Sequence, residues 1–282
     1  MFSDCNNLLS VDFTNFDSKK IKNMSNMFYN CVSLEEISNI FTNTENVINM
    51  SGMFYNCQNL KSLDKISKWD VSKVTSMKNM FNKCYQLEIP NLNDWKIPKL
   101  IDMSYMFSGC KKLKNLCNIQ FQTSNVIKMN ELFNNCEELE NISDISKWDT
   151  SKVTNMSFMF NNCKNLKYIS NVFDLKLDNV KYMNNMFSNC TSLTEIYIIS
   201  EKKISNVINT SFMFENCTEL IEFSNNIKFD HDKLIDMSYM FYNCKNLEKE
   251  IIIKNLDIDK YEKADKYFIL EGCKSNSNCI IM

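Results

Sequence analysis

The sequence contains no arginine, one histidine, three glycines and two prolines among its 282 residues. Without arginine the chain lacks the planar side chain that contacts phosphate or guanine at two points. Its 32 lysines are balanced by 34 acidic residues, so we expect no nucleic-acid partner. Three glycines do not provide a phosphate-binding loop, and a single histidine cannot form a two-histidine zinc site.

The scarcity of histidine, arginine and glycine also argues against the usual catalytic arrangements. His231 lies between two aspartates in a variable segment, and no serine or cysteine nucleophile recurs with it in any pattern. We interpret His231 as a solvated loop residue. The chain is therefore predicted to have no enzyme activity and no cofactor.

A periodic motif is what the sequence has in abundance. Ten of its 13 cysteines recur every 26 or 27 residues, each with a phenylalanine three residues before it and a leucine three residues after it. These cysteines are Cys5, Cys31, Cys57, Cys84, Cys110, Cys136, Cys163, Cys190, Cys217 and Cys244. So regular a period predicts a repeat solenoid, because one unit buries its apolar face only against its neighbours.

Each unit combines a helical pattern with an extended one. Met24, Met27, Phe28 and Cys31 have the spacing i, i+3, i+4, i+7, which predicts a short helix capped by the neighbouring Asn, Asp or Ser. The L-x-x-[IVL] segment after each cysteine, and the valine three residues before the first methionine, predict short strands. The predicted fold is an α/β leucine-rich-repeat-like solenoid of about ten units, roughly 50 Å long at about 4.8 Å per unit.

Residues 69–87 and 148–166 both read W-D-x-S-K-V-T-x-M-x-x-M-F-x-x-C-x-x-L. This pattern resembles the BspA-like leucine-rich repeat family, and more closely its W-D-T-S-x-V-T-x-M-x-x-M-F branch of bacterial lipoproteins and protozoan surface-associated proteins. The resemblance covers about residues 1–250. It implies a right-handed solenoid used for binding, adhesion or scaffolding, without enzyme activity. Pro90, Thr210 and Glu250 depart from the pattern, so their units are expected to be locally irregular.

The periodic cysteines allow two interpretations, a ladder of buried free thiols or a set of disulfides. We favour the thiol ladder because identical neighbours about 5 Å apart have no preferred pairing. No signal peptide marks an oxidising compartment, and for the same reason the sequons at Asn23, Asn155 and Asn216 are expected to stay unmodified. A zinc site is not expected because no C-x-x-C motif occurs.

The chain ends in Cys279-Ile280-Ile281-Met282, a C-a-a-X box whose final methionine favours farnesylation of Cys279. A farnesyl group would place the protein on the cytosolic face of the plasma membrane or of another membrane. One prenyl chain binds a membrane only marginally, so a second signal is expected, but no basic cluster precedes the box. Cys273 is either a palmitoylation site or part of a degenerate eleventh repeat, and we favour the repeat.

Three segments follow from these motifs. Residues 1–250 form the repeat array, residues 251–273 a C-terminal cap or degenerate repeat, and residues 274–282 a flexible tail with the C-a-a-X box. Met1 and Phe2 already occupy the Met-Phe positions of a unit. Either a few residues suffice to cap that end, or the gene product is longer.

The predicted function is a non-enzymatic protein-binding or scaffold module, anchored to a membrane by a farnesyl group. The alternative is an exported, adhesin-like protein at the cell surface that binds host or matrix proteins. The mixed charges of the predicted ligand face do not identify the protein partner. The variable positions after each repeated leucine form this face: Glu35, Glu36, Lys61, Ser62, Lys114, Asn115, Lys167, Tyr168, Thr194, Glu195, Ile221 and Glu222.

Overall fold

Successive repeats stack as the coils of a solenoid. The computed structural model describes residues 1–117, 119, 121–142, 145, 147–196, 201–224 and 226–275. In each coil, the residue before the first methionine pairs in parallel with its equivalent in the next coil, from Asn23 and Asn49 through to Asp236 and Asp265. The predicted repeat solenoid is therefore confirmed.

Regular secondary structure is short because the chain changes direction several times in each coil. The strands pair in parallel as β1 with β2, β3 with β5 and β4 with β6. Four of them lie just after a repeated leucine: β1, β2 and β3 in L-x-x-[IVL] segments, and β5 in a segment where Phe223 replaces the aliphatic residue. The strand predicted after each cysteine is thus confirmed in these four coils only, and in the described residues no strand forms at the valines before the first methionine. The strands are β1 (Ser10–Asp12), β2 (Glu36–Ser38), β3 (Glu195–Ile196), β4 (Lys202–Ile204), β5 (Glu222–Phe223) and β6 (Ile227–Phe229). Helix α1 spans Lys249–Leu256, and 3-10 turns span Asp64–Lys68, Ser170–Asp174 and Ile258–Lys260.

The helix predicted for each M-x-x-M-F-x-x-C segment is wrong. The N–H groups of Met27 and Cys31 donate to the carbonyl three residues earlier, at 3.3 and 3.2 Å. The N–H of Phe28 instead donates to the carbonyl of Met53 in the next coil, at 2.8 Å. The segment is thus a series of turns whose alternate N–H groups link neighbouring coils. Its apolar residues have the same spacing as one face of a helix, so the sequence pattern alone does not distinguish a helix from this series of turns.

Left-handed backbone at two positions in each coil explains these turns. Asn26, before the Met-Phe pair, has a φ of 56°, and Asn30, before the cysteine, has a φ of 59°. Asparagine tolerates this conformation better than most residues, and a helix does not contain it. The asparagine side chains also bond from coil to coil. Asn216 Nδ2 donates to Asn189 Oδ1 at 3.0 Å, and Asn216 Oδ1 accepts from Asn243 Nδ2 at 2.7 Å.

The core is a set of columns in which identical side chains stack. Phe160 is fully buried, and its ring stacks on those of Phe133 and Phe187 with centroids 5.6 and 5.5 Å apart. A second aromatic column includes Trp69 and Trp95, whose rings lie 6.4 Å apart. The repeated motif therefore places the same side chain at the same depth in successive coils.

An eleventh coil continues the ladder beyond the tenth repeat. The N–H of Asn243 donates to the carbonyl of Glu271 at 2.7 Å, and Cys273 Sγ lies 3.1 Å from the carbonyl oxygen of Phe241. Cys273 is 7% exposed. Its burial in a repeat position agrees with the degenerate-repeat interpretation and opposes palmitoylation.

Candidate binding faces and the cysteine ladder

The periodic cysteines form a column of thiols that donate to backbone carbonyls. Cys163 Sγ lies 3.2 Å from the carbonyl oxygen of Phe133 in the preceding coil. The same carbonyl also accepts the N–H of Cys136, at 3.2 Å. Cysteine suits this position because it packs as a small apolar residue while its weak S–H donor meets a second lone pair of that oxygen.

Burial makes these thiols chemically inert. Removal from water disfavours the thiolate, and this desolvation raises the pKa of Cys31 to about 11 and that of Cys190 to about 12. The pKa of Cys163 and of Cys217 is raised well above the ordinary value for the same reason. Because the thiolate is the reactive form of cysteine, burial and the raised pKa disfavour nucleophilic chemistry at these thiols, which contribute packing.

The thiol interpretation is confirmed for the described cysteines, with one correction. Cys31 and its equivalents through Cys244 are buried free thiols, and Cys273 joins them. Cys5 was predicted to belong to this buried ladder but is exposed, because it lies in the first coil and no earlier coil covers it. Cys117, outside the repeat motif, is also exposed.

The predicted ligand residues lie in two adjacent columns on one side of the solenoid, which we call the strand face. Eleven of the twelve are exposed and Thr194 is half-buried. Backbone hydrogen bonds hold successive members in register, as between the N–H of Lys61 and the carbonyl of Glu35 at 3.2 Å, and between Ile221 and Thr194 at 2.9 Å. The structure thus brings these residues together as a continuous surface. Whether that surface binds a ligand stays a prediction.

Charges alternate along the first column of the strand face. The residue after the repeated leucine is Glu35, Lys61, Glu88, Lys114, Glu140 and Lys167 in six successive coils. Lys61 Nζ lies 2.6 Å from Glu35 Oε2, and Lys114 Nζ lies 3.9 Å from a carboxylate oxygen of Glu138. Opposite charges on neighbouring strands stabilise each other. The charges predicted as mixed are therefore ordered, and their alternation is visible in the aligned repeats.

The C-terminal part of the strand face is different, and we call Tyr168, Glu195, Ile221 and Glu222 the acidic patch. Tyr168 pairs with Glu195, which pairs in turn with Glu222, in three successive coils. In the described part of the chain neither glutamate forms an ion pair, and like charges directly opposite each other are destabilising. The side chains of Tyr168 and Ile221 are 62% and 51% exposed. The patch therefore combines two stacked glutamates that form no ion pair among the described residues with exposed apolar surface.

Two other sequence predictions have different outcomes. Cys279 and its C-a-a-X box lie outside the described residues. His231 is exposed, and its Nδ1 lies 3.7 Å from Asp232 Oδ2, which agrees with a solvated loop position. Within the described ranges no cluster of three or more His, Cys, Asp or Glu side chains is arranged to hold a metal ion. No helix in those ranges has the length and apolar composition needed to cross a bilayer.

Three solved structures of bacterial leucine-rich repeat proteins are similar to this chain. One is a leucine-rich cell surface protein from Faecalibacterium prausnitzii, with 17% identity, a TM-score of 0.46, and coverage of 81% of this chain and 61% of that one. The chain thus spans less than two thirds of that protein. The others come from Bacteroides ovatus (18% identity, TM-score 0.45, 97% and 76% coverage) and Eubacterium ventriosum (16%, 0.46, 100% and 81%).

No curated protein matches the chain. A family model described as Mycoplasma protein of unknown function, DUF285, matches it five times in overlapping segments, at residues 1–119, 34–142, 90–192, 115–221 and 167–278. These segments cover nearly the whole array, and each spans several coils. The chain therefore belongs to the DUF285 family of repeated sequences.

Proposed function

We propose that this chain is a non-catalytic repeat protein of the BspA-like type. In this proposal it binds a protein partner on its strand face and is attached to the cytosolic side of a membrane through farnesylated Cys279. The observation that carries the proposal is the contrast between the two sides of each L-x-x-[IVL] segment. The buried side keeps the same leucine and, in most coils, an aliphatic residue three positions later, whereas the exposed side changes in every coil. A constant core beneath a variable surface is what a binding scaffold requires.

The acidic patch is the part of the strand face best suited to a partner. Farther toward the N-terminus, glutamates and lysines alternate from coil to coil, and Glu35 forms an ion pair with Lys61. The stacked Glu195 and Glu222 instead repel each other inside the folded chain. A partner segment with lysine or arginine next to a large apolar side chain would relieve this repulsion and cover Tyr168 and Ile221. We therefore expect a partner that is basic and partly apolar.

Selection from a displayed peptide library on the immobilised full-length protein tests this expectation. Selected peptides should combine basic residues with at least one large apolar residue, and Glu195→Lys with Glu222→Lys should weaken their binding at least about tenfold, since like charges oppose across an interface. The matched control makes the same change at Glu35 and Glu88, and it should leave the affinity within about twofold, because these residues lie outside the acidic patch. Equal losses in both variants would contradict the assignment.

The membrane part of the proposal depends on the C-terminal sequence. Cysteine, two isoleucines and methionine meet the requirements of a farnesyl acceptor. Lys274 bonds to the tenth repeat, its N–H donating to the carbonyl of Leu247 at 3.0 Å. In the sequence, Cys279 is the fifth residue after Lys274.

Labelling of cells with an isoprenoid precursor tests the lipid anchor. The native protein should incorporate label and sediment with membranes, whereas Cys279→Ser should incorporate none and shift toward the soluble fraction. Cys117→Ser serves as the control, because it removes an exposed thiol without touching the C-a-a-X box. An unlabelled native protein, or identical partitioning of native protein and Cys279→Ser, would contradict the anchor.

Display on the cell surface is the second candidate function. It is supported by the resemblance of residues 69–87 and 148–166 to repeats of surface-associated proteins. Protease treatment of intact cells separates the two candidates. Digestion of the protein on unbroken cells would favour surface display over a cytosolic anchor, and full protection would exclude it.

A further inference from the structure

The solenoid has a second regular surface, formed just before the first methionine of each unit. There a buried valine or its equivalent, such as Val47, is flanked by two outward-facing residues, such as Asn46 and Ile48. In the nine units from residues 20–22 to residues 233–235, these two outward positions include seven lysines and no carboxylate. We call this surface the basic face. Its lysines are Lys20, Lys22, Lys73, Lys99, Lys152, Lys181 and Lys233, all exposed.

The charge of the basic face is not cancelled by close ion pairs in the described part of the chain. Among the described residues none of its seven lysines forms an ion pair, in contrast to Lys61 and Lys114 on the strand face. Lys73 Nζ instead donates to Asn46 Oδ1 at 2.9 Å, and Lys233 Nζ to Asn206 Oδ1 at 2.7 Å. A neutral amide fixes the position of a lysine without cancelling its charge. The chain as a whole has a net charge of −2, so positive charge is concentrated on this side.

Carboxylates lie at the margins of the basic face and not within it. Glu45, Asp178 and Asp232 directly precede its first column of residues, and Asp102 and Asp236 directly follow its second. The carboxylate of Asp102 lies 3.9 Å from Lys128 Nζ and accepts hydrogen bonds from Ser104. The two columns between these carboxylates contain lysines and uncharged residues only, so the basic face itself remains positive.

Exposed isoleucines share the basic face with the lysines. Ile48, Ile101, Ile127 and Ile235 are 44%, 45%, 38% and 60% exposed. They lie in one column, in which the N–H of Ile127 donates to the carbonyl of Ile101 at 2.9 Å. A surface that presents aliphatic side chains beside lysines resembles the membrane-facing side of an interfacial amphipathic helix.

We infer that the basic face binds the surface of a membrane containing anionic lipids, the lysines contacting headgroups and the isoleucine column entering the interfacial region. This inference deepens the proposed membrane association by supplying the second signal that a single farnesyl chain needs. It does not depend on lipidation itself. The exposed aliphatic column favours a lipid surface over a nucleic acid, which offers no apolar layer for it to enter.

Sedimentation with vesicles tests the inference on the full chain carrying Cys279→Ser, so that no lipid is attached. This protein should bind phosphatidylcholine vesicles that contain phosphatidylserine, bind pure phosphatidylcholine much less, and release as salt is raised. Each lysine near an anionic surface contributes about fivefold to partitioning. Lys73→Glu, Lys99→Glu and Lys152→Glu together should therefore weaken binding by about a hundredfold or more.

A matched control makes the same charge change on the strand face, with Lys61→Glu, Lys114→Glu and Lys167→Glu. It should keep most of the binding if the basic face is the contact surface. Ile101→Ser with Ile127→Ser should weaken binding without changing its salt dependence. Circular dichroism of each variant establishes that it is folded.

Several outcomes would overturn the inference. They are equal binding to both vesicle types, equal loss in both triple variants, or no vesicle binding accompanied by binding to a DNA oligonucleotide. Because the protein in this test has no lipid, failure of isoprenoid labelling in cells would leave the result intact. Conversely, the native protein could be labelled in cells while the Cys279→Ser protein fails to bind vesicles. That result would support the lipid anchor and overturn the membrane-binding role of the basic face.

Discussion

Replacement of Phe160 by alanine is expected to lower the free energy of unfolding by about 3–5 kcal/mol, the cost of deleting a buried phenylalanine ring from a packed core. Phe160 is fully buried, and its ring stacks between those of Phe133 and Phe187. Backbone hydrogen bonds between neighbouring coils set the distance between them, as between the N–H of Phe160 and the carbonyl of Met186 at 2.9 Å. The coils therefore cannot close the cavity, and its cost remains.

Chemical denaturation followed by far-ultraviolet circular dichroism measures this loss. Tyr168→Ala is the control, because Tyr168 is 62% exposed on the strand face and its loss should change stability by about 0.5 kcal/mol or less. Phe160→Leu should fall between the two, because leucine fills most of the volume but does not stack. Equal effects of Phe160→Ala and Tyr168→Ala would contradict a continuous phenylalanine core.

The Phe160→Ala variant should also unfold less cooperatively than the native protein. In a solenoid each coil contacts only its neighbours, so stability is the sum of local terms. A weak coil in the middle separates two arrays that each keep most of their contacts. Hydrogen exchange should therefore increase first around Phe133, Phe160 and Phe187, while distant coils stay protected.

The second large effect concerns thiol reactivity. In native protein carrying Cys279→Ser, a maleimide should modify Cys5 and Cys117 rapidly. The buried thiols from Cys31 to Cys273 should react at least about a thousandfold more slowly, because modification requires a local opening that costs about 4 kcal/mol or more. Mass spectrometry of peptides after timed labelling measures each site, and labelling in denaturant supplies the control.

Raising the pH should not expose the buried thiols to reaction while the fold persists. Their pKa values are raised by burial, to about 12 for Cys190, so the thiol is neutral when folded at neutral and mildly alkaline pH. The folded pKa lies above the unfolded value, so the protonated thiol stabilises the fold below the unfolded pKa, and that stability is lost as pH rises toward 12. Rapid labelling of Cys190 at neutral pH, before any loss of circular dichroism, would contradict a buried ladder.

The residues of the acidic patch can be predicted from the aligned repeats, but the interactions between coils and the basic face cannot. Glu195 and Glu222 were selected from the sequence as variable residues after a repeated leucine, and both are exposed there. Their repulsion across paired strands, and the compensation of Glu35 by Lys61, became visible only when neighbouring coils were in register. The basic face was missed because its lysines, such as Lys73 and Lys99, are a full repeat apart in sequence.

The failed helix prediction has a specific physical origin. The apolar residues Met24, Met27, Phe28 and Cys31 satisfy helical spacing, but Asn26 and Asn30 have left-handed backbone. The signal that opposes a helix was present, since asparagine or glycine precedes the cysteine in eight of the ten repeats. Those residues favour left-handed conformation and interrupt helices.

The sequence by itself determined the solenoid, its period and the side chains of its core, because a fixed repeat places equivalent residues at equivalent depth whatever the local backbone. It also determined that most of the cysteines belong to packing. Only the tertiary structure decided that the units are turns linked from coil to coil, and that separate lysines form one basic face. Both depend on contacts about 26 residues apart, where the stacking of coils, and not local spacing, sets which groups meet.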